Sequence, residues 1–182
     1  MAQQGLQMAR YADDLVILCR SAAEAEQALD RLRVWTAEAG LTLHPEKTRI
    51  VDAGQPGGFD FLGYHFERGY RWPRRKSLNK LKDRRRAKTK RNHGHSLQVI
   101  ITDINRTLRG WFEYFKHSHK TTFAPLDSWI RMRLRSILRR RQGRRGRGRG
   151  RDHQRWPNTF FAKQGLFSLT AAHALARQSA RR

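Results

Sequence analysis

The stretch that decides the fold is Arg10-Tyr11-Ala12-Asp13-Asp14-Leu15-Val16-Ile17-Leu18-Cys19. Two adjacent carboxylates are followed by a run of strand-forming residues, which predicts a β-hairpin with Asp13 and Asp14 at its turn. Aspartate is also an ordinary turn residue, so turn chemistry alone accounts for the pair. Paired carboxylates suit Mg2+, which binds hard oxygen ligands together with substrate phosphates. From the residues alone the pair fits either an ordinary turn or a site for phosphoryl or nucleotidyl transfer.

The basic residues are unevenly distributed along the 182 residues of the chain. Residues 1–66 carry a formal net charge of −3 and residues 67–182 a formal net charge of +27, which together give +24 for the whole chain. A surplus of this size predicts a polyanion partner, above all RNA, because neutralised phosphates release their counterions. Eight Lys or Arg residues fall between residues 80 and 91, and eight arginines fall between residues 139 and 151.

Other compartments and partners are disfavoured by the composition. No apolar run approaches the roughly 20 residues of a membrane-spanning helix, so we expect no membrane partner. The N-terminus shows no secretory signal pattern. The single cysteine, Cys19, excludes an intramolecular disulfide and fits a reducing compartment, so we expect a cytoplasmic protein.

Helical periodicity predicts several amphipathic helices. Ser21 and Glu24 form a capping box that opens a helix of roughly 18 residues, which ends at Gly40. A basic segment, residues 77–91, is compatible with a helix. The clearest apolar stripe lies in residues 97–115, and a third helix covers residues 126–141. Residues 48–51 and 59–66 favour strands, with Gly63 as a bulge or a close backbone approach.

Tyr11-Ala12-Asp13-Asp14 followed by an apolar strand resembles the catalytic palm motif of reverse transcriptases, and residues 10–19 resemble the bacterial group II intron-encoded kind. The resemblance implies that Asp13 and Asp14 bind two Mg2+ ions in a complete palm. Downstream, residues 40–48 resemble the next palm motif, and residues 61–64 resemble the primer-grip hairpin. The positions implied on the nucleotide and primer side are Tyr11, Lys47, Leu62 and Gly63.

Residues 97–141, especially Arg109-Gly110-Trp111-Phe112, resemble the maturase-specific thumb domain of group II intron proteins. The resemblance implies contacts with a template–primer duplex and with the intron RNA. Charge density independently favours polyanion contact by the segment before it. The basic residues that we expect to bind RNA are Lys80, Lys82, Arg84, Arg85, Arg86, Lys88, Arg109, Arg131, Arg133, Arg135, Arg144, Arg145 and Arg147.

These patterns predict an α+β fold with four parts. Residues 1–75 would form a partial palm, an antiparallel sheet with one long helix, and residues 76–142 a helical thumb. Residues 143–155 would be a flexible arginine- and glycine-rich arm, because glycine and like-charge repulsion oppose packing. Residues 156–182 would fold back onto the helical bundle.

Catalysis of this type needs a third carboxylate, and residues 1–12 contain no Asp or Glu. We therefore expect little or no polymerase activity from the isolated chain, which would need the N-terminal half of the enzyme as a partner. The expected activity is RNA binding that assists splicing. The alternatives are a stand-alone basic RNA-binding protein and a non-functional remnant of a mobile element. The histidine pairs His93/His95 and His117/His119 lack cysteine companions, so we expect no zinc module.

Overall fold

The computed structural model describes residues 6–92 and 94–179, and the chain divides into two compact units between Tyr70 and Arg71. Helices and two small antiparallel sheets make it an α+β chain, as the sequence predicts. Three parts of the chain lie outside the described residues: His93, residues 1–5 of the predicted palm and residues 180–182 of the predicted C-terminal segment.

The acidic stretch forms the first hairpin. Strand β1 (Gln7–Tyr11) pairs antiparallel with β2 (Asp14–Leu18), and Tyr11 lies opposite Asp14. The turn consists of Ala12 and Asp13, with Ala12 at a φ of +53°. The hairpin is therefore confirmed, but Asp14 is the first residue of β2, because Ala12 and Asp13 fill the two turn positions.

A second hairpin joins β3 (Phe59–Phe61) to β4 (Tyr64–Glu67), and β5 (Tyr70–Pro73) completes the sheet order β3-β4-β5. Leu62 and Gly63 both have positive φ angles, 46° and 80°, as expected for a type I′ turn. Gly63 is thus a turn residue and not a bulge. The strand predicted at residues 48–51 is wrong, since no strand of the described chain pairs with it.

Helix α1 (Ala22–Glu38) begins as its capping box predicts. Ser21 Oγ accepts the Glu24 N–H at 3.2 Å, and the Glu24 carboxylate accepts the N–H of Arg20. Gly40, at a φ of +67°, follows the C-terminus. The apolar face is only partly covered: Ala28 is buried, but Trp35 is 51% exposed.

The second unit is helical. Its elements are α2 (Arg75–Lys88), α3 (Leu97–Phe115), a 3-10 turn (Lys120–Thr122), α4 (Phe123–Arg141), α5 (Arg151–Arg155), α6 (Asn158–Lys163) and α7 (Leu169–Ser179). The apolar stripe predicted on α3 is confirmed as the centre of the core, where Ile101, Ile104 and Leu108 are fully buried. Each such side chain contributes about 1.5–3 kcal/mol of burial free energy. Helix α7 packs on α4.

The arginine- and glycine-rich stretch differs from the expected flexible arm. It leaves α4 through a turn in which Gly143 has a φ of +73°. Two hydrogen bonds then hold it against the end of α4, and a third joins Arg149 to Asp152. Its last residues form α5. Buried polar groups of α4 and α5 offset the local preference for disorder.

Candidate nucleic-acid interface

The tip of the first hairpin places three of the predicted site residues together. Tyr11 and Asp14 are cross-strand neighbours, and Asp13 occupies the turn between them. All three are exposed, and neither carboxylate has a hydrogen-bond or ion-pair partner among residues 6–92 and 94–179. Arg10 Nε donates to Ala12 O at 3.0 Å and so steadies the turn.

Two adjacent, solvent-facing carboxylates fit a divalent cation as two of its oxygen ligands. Within the described part of the chain, no group of three or more His, Cys, Asp or Glu residues is placed to hold a metal ion. The remaining ligands would therefore be water, substrate phosphate, or carboxylates from elsewhere.

The other predicted palm residues occupy turns. Lys47 is exposed in the turn of residues 45–47, which is closed by the Thr48 N–H donating to His44 O at 3.0 Å. Leu62 and Gly63 are half-buried at the tip of the second hairpin. No hydrogen bond or ion pair joins Lys47 to another of the described residues.

Helix α2 presents part of the predicted basic surface. Lys80, Arg84 and Arg86 are exposed, and Lys82 is half-buried. Arg86 pairs with Asp83 one turn away at 2.5 Å, and Lys88 pairs with Asp103 of α3. Exposed pairs of this kind are weak, so the cations of α2 stay available to phosphates.

Arg85 is a correction to the predicted RNA-binding set. Its side chain is only 1% exposed, and one guanidinium nitrogen donates to Ile104 O at 3.0 Å. The other two, Nε and one Nη, are buried without a partner. Burial lowers the pKa of Arg85, and the charge of Asp103 partly opposes that shift. The side chain lies within the helical core, and its guanidinium is not displayed at the surface.

Arg135 is the second correction, because it is 3% exposed. Its guanidinium donates to Trp156 O at 2.9 Å and to Asn158 Oδ1 at 2.8 Å, and it stacks over Phe161. Burial chiefly lowers its pKa, and neighbouring Arg131 adds to the shift. Arg135 therefore holds the start of the C-terminal segment to α4.

Arg133 is half-buried and closes the C-terminus of α2. It donates to the carbonyl oxygens of Thr89 at 2.9 Å and Arg86 at 3.3 Å, and also to the Thr89 hydroxyl. These carbonyls lie where a helix leaves its last acceptors unpaired. Most of the hydrogen-bonding capacity of Arg133 is thus used within the protein.

Arg109 is exposed on α3, and its guanidinium carbon lies 4.8 Å from the centre of the Phe167 ring. Cation–π stacking fixes the plane of the group while its N–H donors face solvent. Arg131 is half-buried on α4, and its Nε is buried without a partner. Arg144, Arg145 and Arg147 are exposed on the ordered stretch after α4.

Three polar residues that organise the second unit are absent from the predicted set. Asn105 joins α3 to the turn before α7, Asp127 caps α7 from α4, and Asp152 fastens the stretch after α4. A signal for Asp127 exists in the sequence, since a carboxylate on the apolar face of a helix needs partners when it is buried. Asp152 is likewise a lone acid among arginines.

No helix in the described residues is long and apolar enough to span a bilayer.

Comparison with protein families agrees with this arrangement. Residues 1–66 match the family model for reverse transcriptase (RNA-dependent DNA polymerase), and residues 78–156 match that for the group II intron maturase-specific domain. No curated protein matches the chain. The matched regions contain the acidic hairpin and the basic helices, respectively.

The chain thus joins a segment similar to reverse transcriptases to a segment similar to the group II intron maturase-specific domain. Together the two matches support a group II intron reverse transcriptase/maturase, as the motifs predict. Reverse transcriptases generally use divalent metals, and both domains imply binding of intron RNA in general.

Proposed function

We propose that the second unit binds structured intron RNA and assists its splicing. The observation that carries this proposal is the contrast between a closed apolar core and an outer face rich in exposed cations. Residues 67–182 have a formal net charge of +27, and only six of their residues are acidic. The proposed RNA contacts are Lys80, Lys82, Arg84, Arg86, Lys88, Arg109, Arg131, Arg144, Arg145 and Arg147.

The test is binding of the full chain to a folded intron RNA at several salt concentrations. Replacing Arg84 and Arg86 by Ala should weaken binding by roughly tenfold and lower the log–log salt slope by about 1–2, because two phosphate contacts are lost. The matched control replaces Arg20 and Arg33, two exposed arginines of the first unit. Salt-insensitive binding, or equal losses in both variants, would contradict the proposal.

We further propose that Asp13 and Asp14 hold Mg2+ when the palm is complete, with Tyr11, Lys47, Leu62 and Gly63 near the nucleotide and primer. The metal would favour attack by the primer hydroxyl and departure of pyrophosphate. The hairpin turn presents both carboxylates to solvent on a short, paired backbone. The large apolar side chains exposed on the first unit, including Met8 at 47% and Trp35 at 51%, support packing of a further palm segment there.

Primer extension tests the second proposal. The chain, supplied with the N-terminal half of the enzyme, should copy an RNA template in the presence of Mg2+. Asp13→Ala should abolish this extension. Asp30→Ala removes another exposed carboxylate, on α1, and should leave activity intact. Extension that survives Asp13→Ala would exclude the assignment.

A further inference from the structure

We propose that residues 142–151, here called the arginine loop, form a pre-shaped binding surface for the phosphate backbone of RNA, and that Asp152 is the residue that positions it. The inference rests on the RNA-binding function proposed above. It adds a specific element to that function, because the loop binds as a folded unit and depends on a carboxylate that itself never touches RNA.

Two hydrogen bonds hold the arginine loop to α4, and a third holds it to Asp152 of α5. Arg139 Nε donates to Arg145 O at 2.8 Å, near the start of the loop. Ser136 Oγ accepts the Gly148 N–H at 3.0 Å, and this bond is buried. The Asp152 carboxylate accepts the Arg149 N–H at 3.0 Å. The loop backbone therefore has defined partners at Arg145, Gly148 and Arg149.

Asp152 joins two of these points. The same carboxylate oxygen that accepts the Arg149 N–H also pairs with Arg139 at 2.8 Å. Arg139 in turn holds Arg145 O, so one carboxylate links the loop backbone at Arg145 and at Arg149. Asp152 is 1% exposed, and its negative charge is used inside the protein and is not presented to solvent.

Gly148 provides the close approach that this arrangement requires. A Cβ atom at Gly148 would lie 2.5 Å from Arg135 Cβ and 3.2 Å from the Arg135 carbonyl carbon. These are a buried stem and a helical backbone, which cannot move aside easily. Any side chain at position 148 would push the loop off α4.

The charges that the arginine loop displays are unpaired. Arg144, Arg145, Arg147 and Arg149 are exposed, and none has an ion-pair partner in the described part of the chain. The loop contains no aromatic residue that could stack on bases. Its contacts would therefore be made to phosphates, independently of base sequence. Because the backbone is already ordered, binding costs less conformational entropy than ordering a free arm.

Binding of the full chain to a base-paired RNA hairpin, followed by fluorescence anisotropy over a range of salt, tests the inference. Asp152→Asn and the control Asp83→Asn each remove one negative charge, so long-range electrostatics alone would strengthen binding slightly in both. If Asp152 positions the arginine loop, Asp152→Asn should instead weaken RNA binding. We expect Asp152→Asn to weaken binding roughly tenfold and to lower the salt slope by about 1–2.

A double-mutant cycle separates positioning from general destabilisation. Replacing Arg144 and Arg147 by Ala should weaken binding in the wild-type background and have little further effect beside Asp152→Asn. Gly148→Ala tests the same loop without a change of charge, against Gly94→Ala, where a Cβ meets nothing within 4 Å. Thermal unfolding of every variant identifies any that fails to fold, and Gly148→Ala then replaces Asp152→Asn in the cycle.

The outcomes distinguish this inference from the function on which it rests. Wild-type binding that ignores salt would overturn the RNA-binding proposal itself. A second outcome is salt-sensitive wild-type binding in which Asp152→Asn and Asp83→Asn bind RNA equally well. If the losses from replacing Arg144 and Arg147 are also additive with Asp152→Asn, only the proposal for the arginine loop is overturned. Dependence of the loop's contribution on the RNA base sequence would also overturn it.

Discussion

The carboxylate of Asp127 on α4 accepts the backbone N–H of Leu169, the first residue of α7, at 3.0 Å. The other carboxylate oxygen accepts the Thr170 N–H and the Ser168 hydroxyl, each at 3.0 Å. A helix N-terminus leaves its first N–H groups unpaired, and here the cap comes from a different helix. Asp127 therefore couples the folding of α7 to that of α4.

Asp127→Ala should destabilise the second unit by about 2–4 kcal/mol, since three hydrogen bonds to a charged, buried acceptor are lost. Urea denaturation measures the free energy of unfolding, and hydrogen exchange should show α7 opening before α4. Asp127→Asn keeps one acceptor oxygen and should fall between wild type and Ala. An unchanged midpoint in Asp127→Ala would show that α7 is held by apolar packing alone.

Asn105 makes a comparable link from α3. Its Nδ2 donates to Gly165 O at 2.7 Å, and its Oδ1 accepts the Phe167 N–H at 2.8 Å. Asn105→Asp keeps the acceptor but turns the donor into an oxygen that faces the Gly165 carbonyl. We expect both Asn105→Asp and Asn105→Ala to lower the free energy of unfolding by about 1–3 kcal/mol.

The second readout for Asn105 is the position of Arg109, which stacks on Phe167. Loosening Phe167 should weaken RNA binding in the Asn105 variants, and Arg109→Ala should add little to that loss. Gln98→Ala, an exposed position on the same helix, is the control. Additive losses would show that Asn105 and Arg109 act independently.

Local sequence patterns predict the elements well where chemistry and structure are local. The Asp13 turn, the Ser21 cap and the α3 stripe each depend on residues within a few positions of one another. The arginine loop could not be predicted this way, because its glycines favour disorder and its partner Ser136 lies in the preceding helix. Asp152 closes the loop from 13 residues beyond Arg139.

Local sequence also predicts only in part which basic side chains of the candidate site are exposed. Residue type predicts exposure for arginine, yet Arg85 follows Leu78 and Leu81 on one helical face and is buried with Leu81. The spacing contained that signal, since positions three and four apart share a face. No local pattern predicts the burial of Arg135, because its partners, Trp156 and Asn158, are distant in the chain.

Arg85 and Arg84 should respond oppositely to substitution. Arg85 has one hydrogen bond and two buried nitrogens without partners, so its desolvation is poorly compensated. Arg85→Met should leave the free energy of unfolding unchanged to within about 1 kcal/mol, or raise it, and should leave RNA binding nearly intact. Arg84→Met should weaken RNA binding and leave stability unchanged. Reversal of this pattern would mean that Arg85 reaches the RNA.

Asp152 makes stability depend on pH in a defined direction. Burial alone would raise its pKa, but the Arg149 N–H and the Arg139 guanidinium outweigh burial and hold the pKa below its ordinary value of 3.8. The folded state therefore binds its proton less readily than the unfolded state, so the stabilisation is complete above the unfolded pKa and is lost as pH falls through the folded pKa. Asp152→Asn should cost about 1–3 kcal/mol at pH 7, and the difference from wild type should shrink below pH of about 4. Urea unfolding of both proteins between pH 7 and 3 measures this difference, with the exposed Asp83→Asn as control. A difference that stays constant to pH 3 would show that the stabilisation by Asp152 does not depend on the charge of its carboxylate.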